Sequence, residues 1–244
     1  MAWNLEGTTS AIITAGTGSQ NVTLPGGTPS EGDLVIVAVA GDINCTGSIT
    51  TADYTLADNG TGANPGAHVG YKVMTSSPDT VVAIARDATI LKSVVVQVWS
   101  GGNAASILDQ SMPTAATGTS ANPNCPSIVT QYANALVFAI AHLDDDDSTV
   151  SVYPTGYSNG QSGNTGQSET SVGSTVALCS KIVASPGTED PSAYTMSSSD
   201  AWRANTISFR IYVSGTAFER NPANVEGITD SVVRVVGHAR YISS

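Results

Sequence analysis

"LVIVAVAGD" at residues 34–42 and "LVFAIAHLD" at residues 136–144 decide how this chain folds. Both are apolar runs of β-branched and small residues that close on an aspartate, with Gly, Pro, Asn and Ser turn chemistry around them, so both read as strands. They lie over each other at a shift of 102, Leu34 on Leu136 and Asp42 on Asp144. Two further matches follow in the same order. "YKVMTSSP" (71–78) matches "SKIVASP" (180–186) at a shift of 109, with Lys72 on Lys181, and "SVVVQVW" (93–99) matches "TISFRIY" (206–212) at a shift of 113, with Trp99 on Tyr212. A shift that grows only across loops is what a duplicated unit with insertions produces. A chance likeness among valine-rich strands is the alternative, because strands draw on few residue types.

Each copy alone would leave a wide apolar sheet face uncovered, so the two are expected to close on each other. Other runs of strand character are "SAIIT" (10–14), "NVTL" (21–24), "TVVAIAR" (80–86) and "TVSVY" (149–153). The expected fold is all-β: a two-sheet antiparallel β-sandwich, jelly-roll-like, built from two pseudo-repeats (about 30–100 and 132–213) within one domain, 1–213. A C-terminal extension, 214–244, follows it. Composition agrees: 24 Gly, 11 Pro and only 9 Lys+Arg, with few leucines, disfavour amphipathic helices.

A net charge of −11 repels phosphate backbones and anionic lipid, and the nine basic residues never cluster, so neither nucleic acid nor membrane is an expected partner. The start "MAWNLEGTTS" has no basic n-region followed by an apolar run, which implies synthesis in a cytoplasm. Cys45, Cys125 and Cys179 are odd in number and lack C-x-x-C spacing, so free thiols are expected.

Catalytic motifs are absent from the sequence: there is no G-x-S-x-G elbow, and His68, His142 and His238 stand singly without H-E-x-x-H. The chain is therefore expected to be no enzyme and to need no cofactor. "DDDD" at 144–147 is the densest charge cluster. In an extended segment Asp144 and Asp146 would face one way and Asp145 and Asp147 the other. Asp144 and Asp146 are then candidate calcium ligands, and a solvated acidic tip is the other reading. Tyr54, Tyr153, Tyr157, Tyr194 and Trp202 sit in or beside loops, where they could stack on a sugar or plug the sandwich.

The order "GDLVIVAVAGD", "VGYKVMTSSPDTVVAIA", "VVVQVWSGGNAASILDQS", "CPSIVTQYANALVFAIAHLD", "YPTGYSNG", "ALCSKIVASPGTE" and "AWRANTISFRI" resembles a β-sandwich module of structural proteins in tailed-bacteriophage and prophage particles. The likeness spans roughly residues 30–213. Tyr54 and Tyr157 stand where that family usually has a Trp-rich turn. The resemblance implies a non-enzymatic virion component (capsid decoration, tail or fibre) that works by self-association and docking, with copies of itself and other virion proteins as partners. The alternative is a carbohydrate-binding module on a fibre that contacts a host glycan. After the sandwich, "GTAFERNPANVEG" reads as a linker and "ITDSVVRVVGHARYI" as one more strand, with Ile228, Val233 and Val235 as its expected interface residues. That strand is expected to dock on another chain or, alternatively, on the edge of its own sheet.

Overall fold

The computed structural model describes residues 2–43, 45, 49–60, 63–101, 107–166 and 172–211. Among them are seventeen strands and no helix. The first sheet holds β1 (Asn4–Ile13), β3 (Leu34–Gly41), β4 (Thr55–Asn59), β5 (Gly66–Val73) and β7 (Lys92–Ser100), in the order β1-β7-β3-β5-β4. The second holds β8 (Leu108–Gln110), β9 (Ala116–Ser120), β11 (Ala135–Leu143), β13 (Ser158–Asn164), β14 (Thr175–Val183) and β17 (Asp200–Phe209). Its order is β13-β14-β11-β17-β8, and β9 lies beside β8 on the same edge of β17. Three two-stranded ribbons remain: β2 (Ser19–Thr23) with β6 (Val81–Ala85), β10 (Ile128–Thr130) with β15 (Gly187–Glu189), and β12 (Val150–Val152) with β16 (Thr195–Met196). All pairings are antiparallel.

The two sheets pack face to face. Leu34, Ile36, Ala38 and Ala40 of β3 share one core with Leu136, Phe138 and Ile140 of β11. The intervening residues are buried as well. Val35, Val37 and Val39 pack outward against Val22, Val82 and Ile84 of the β2–β6 ribbon. On the opposite side Ala139, Ala141 and Leu143 pack outward against Tyr194, Met196 and Trp202. This double covering explains why the two opening runs are apolar at every position instead of alternating. Full burial of each large aliphatic side chain contributes roughly 1.5–3 kcal/mol, so these two strands anchor the molecule.

The first sheet is drawn wholly from residues 4–100 and the second from 108–209. A jelly roll alternates successive strands between its sheets, so the jelly-roll-like connectivity expected from sequence gives way to one sheet per half of the chain. Leu34 lies opposite Val73 and Trp99, and Leu136 lies opposite Ile182 and Phe209. One rung along, Val35 faces Lys72 and Val137 faces Lys181. The rungs therefore set Trp99 against Phe209, a shift of 110 and not 113, and Tyr212 lies outside the described residues. Similar residue types three positions apart made the sequence match slip, because alternation alone cannot distinguish them.

The edges depart most from the sequence reading. β1 begins at Asn4 and not near Ser10, while β4 ("TLADN") and β13 ("SNGQSGN") carry too little apolar character to signal a strand. Segment 214–244, with Ile228, Val233 and Val235, lies outside the described residues.

Candidate functional site

Along β3 and β11 the inward positions change from apolar to polar at the same end: Ala40 is followed by Asp42, and Ile140 by His142 and Asp144. β17 adds Arg203 and Asn205, two positions apart, and β4 adds Asp58. Arg203 grips Asp58 across the two sheets with Nε donating to Oδ2 at 2.7 Å and an Nη to Oδ1 at 2.8 Å; Asn205 Nδ2 donates to the same carboxylate at 2.9 Å. Burial alone would raise the Asp58 carboxyl, yet the hydrogen bonds and charge of Arg203, with help from His142 and Asn205, hold it below the usual range. Ser174 Oγ donates to Ala40 O at 2.8 Å and is 3.2 Å from Ser93 Oγ, a second polar link between the sheets.

Both described histidines are fully buried. His142 Nδ1 lies 3.3 Å from Arg203 O, while its Nε2 and both ring nitrogens of His68 have no hydrogen-bond partner. Burial brings each imidazole down to about 4, against the opposing pull of Asp58.

Asp144 does not join Asp146. Asp144 continues the inward face of β11 and shares a hydrogen bond with Asp42 at the end of β3; the chain bends at this point, and strand alternation lapses beyond it. Burial, then the hydrogen bond and charge of Asp42 and the charge of Asp200, push Asp144 up to about 7, with Asn64 acting the other way. The expected calcium pair is thus split. Instead Asp145, Asp146 and Asp147 converge, with ligand oxygens within 4.8 Å of one another. Three carboxylates fall short of the six to eight oxygens calcium prefers. One of the three, Asp145, is already bonded by the Ser198 hydroxyl, and it is held low by that bond and by backbone N–H groups that outweigh its burial.

Outside the interlayer, two Lys–Tyr–carboxylate clusters sit at matching rungs. Lys72 Nζ is 2.8 Å from Asp79 and 5.6 Å from the centre of the Tyr54 ring; Lys181 Nζ is 2.7 Å from Glu189 and 5.8 Å from the Tyr157 ring. Each tyrosine follows a left-handed residue, Asp53 (φ 65°) or Gly156 (φ 80°), that turns the chain into β4 or β13. The aromatic residues considered for sugar stacking are spent on such packing: Tyr194 and Trp202 are buried, and Tyr54, Tyr153 and Tyr157 pack against the outer cores.

At the flank of the sandwich the edge strands β1 and β13 converge on a groove of about 520 Å³ lined by Ser10, Ala11, Ile12, Ser162, Gly163 and Asn164. None of the six is charged. Sequence reasoning missed Asp58 and Arg203, although Arg203 and Asn205 alternating with Trp202 and Ala204 were a period-two signal of a polar inner face. It missed β13 for lack of any apolar signal.

No protein-family model matches this chain, and neither a curated protein nor a solved structure matches it.

Proposed function

We propose that this chain is a non-enzymatic structural protein of a bacteriophage particle, made in the host cytoplasm, that acts by self-association and docking to other virion proteins. The observation that carries the reading is the open flank. β13 has no charged residue, β1 has only Glu6, and neither contains proline or lysine, the devices that normally keep an edge strand from pairing with another chain. An unprotected edge of this length is a liability for a monomer and an asset for an assembly.

Among the described residues the thiols and histidines are committed to structure, which supports the non-enzymatic reading. The three thiols are buried, with Cys45 and Cys179 pushed up to about 12 chiefly by burial, and both described histidines are sealed inside the protein. We infer further that the two sheets derive from one duplicated unit; the shared strand order, the Leu34/Leu136 and Lys72/Lys181 rungs and the paired Lys–Tyr clusters support it. Sedimentation of the full chain over a range of concentrations, and its co-sedimentation with phage particles, tests the function. Concentration-dependent assembly is expected, whereas a strict monomer that binds glycans on an array would overturn the reading in favour of a carbohydrate module.

A further inference from the structure

We propose that the groove between β1 and β13 receives residues 228–236 of a second copy of this chain as an added strand, an inference that rests on the self-association reading and names its contact. On β1, Gln20 Nε2 donates to Ile12 O and Gln20 Oε1 accepts from Thr14 N, which marks the side of the strand turned away from β7. By the two-residue period of a ladder, Thr8 and Ser10 present their N–H and C=O groups on that same side. The start of β1 is closed off: a Cβ at Gly7 would lie 2.8 Å from Gly26 N. Gln20 already takes the Ile12 carbonyl, so the usable edge runs from Thr8 through Ser10 to the Ile12 N–H, and the groove lies along its Ser10–Ile12 part. Ile12 is 43% exposed there, an apolar side chain with no cover.

The occupant is argued from charge and reach. Residues 214–244 carry Arg220, Arg234 and Arg240 against Glu219, Glu226 and Asp230, so they are neutral and the whole net charge of −11 belongs to the body. Two bodies repel; the terminal segment approaches another body without that cost. "ITDSVVRVV" has β-branched residues at most positions, suited to adding to an open edge.

The described chain ends at Ile211, just past Phe209, which lies opposite Leu136 at the end of the sandwich far from Asn164 and Thr175. From there to the groove of the same copy is three strand spacings across and about seven residues along, roughly 28 Å through the body. Residues 212–227 at random-coil statistics would span about 22 Å, so filling the home groove requires stretching around the sandwich. A neighbour placed flank to flank brings its groove beside the exit. That geometry selects the second copy.

The test uses the full chain. Ile12→Lys and Ser162→Lys put a charge on the groove, and Val233→Asp puts one on the segment; each is expected to weaken self-association at least tenfold by sedimentation, with the thermal melt unchanged. Copies carrying Ile12→Cys are then mixed with copies carrying Val233→Cys, and a disulfide between copies is expected. If Val233→Asp dissociates the assembly and both groove variants assemble normally, self-association stands and the groove assignment falls. A full chain that stays monomeric at all concentrations overturns both. A chain carrying both cysteines that closes only on itself, with no product between mixed copies, overturns the second-copy assignment.

Discussion

The space between the sheets has two ends built on the same strands and of opposite character. At one end Trp99, Phe138, Phe209 and Tyr71 form a chain of edge-to-face contacts with ring centroids 5.1–5.9 Å apart. At the other, a few residues further along β3, β11 and β17, stand Asp42, Asp58, His142, Asp144, Arg203 and Asn205. The aromatic end supplies non-directional burial that would hold the sheets together in more than one alignment. The polar end contributes little net energy once desolvation is counted, yet its bidentate Arg203–Asp58 bond is satisfied in one arrangement only, so it selects how the sheets sit. The acidic end therefore governs alignment and pH response, while the aromatic end governs stability.

Substitution at the aromatic end breaks the comparison most severely. Phe138→Ala removes a fully buried ring that two other rings contact, and should cost about 3–5 kcal/mol in denaturant unfolding. At the polar end, Asp58→Ala strands Arg203 beside an emptied site and should cost about 3 kcal/mol, somewhat less than a fully enclosed pair because the Arg203 side chain is 21% exposed. Asp58→Leu combined with Arg203→Met should recover most of that loss; if the double variant is as unstable as the single, the pair is a net source of stability and the contrast between the ends fails.

The pH response sharpens the difference. His68 and His142 titrate near 4 in the folded protein and near 6.5 when unfolded, so between those values the unfolded chain holds more protons and stability falls on acidification. Two such groups give a slope of up to about 2.7 kcal/mol per pH unit. Asp144 acts in reverse: raised to about 7, it keeps a proton the unfolded chain has lost, so its contribution is lost as pH rises from about 4 through 7. Maximum stability is expected near pH 6.5–7. His142→Leu should flatten the acid limb in urea unfolding curves recorded from pH 4 to 7. Asp144→Asn has the smallest effect, a gain of about 1 kcal/mol at pH 8 after allowance for solvent screening, and none at pH 4.

How much of this was legible depended on the element. Strands β3, β5, β7, β11, β14 and β17 announced themselves because both their faces are covered, and double burial concentrates Val, Ile and Ala in one run. Of the two strands lining the groove, β1 was visible only in its last residues, as "SAIIT", and β13 was not visible at all, since an edge strand of this kind buries little and is held by ladder bonds that any residue can make. The aspartate run was visible as a cluster, but its partners were not, because the chain bends at Asp144 and alternation does not carry beyond it.

The amino-acid sequence by itself determined the all-β class and the central strands, both properties of local pattern. Tertiary structure alone decided that Asp58 meets Arg203 across 145 positions, that Asp42 rather than Asp146 partners Asp144, and that β1 and β13 leave a groove. The physical reason is that a side chain's solvation and charge environment are set by whatever the opposing layer brings to it, and that layer is assembled from residues a hundred or more positions away.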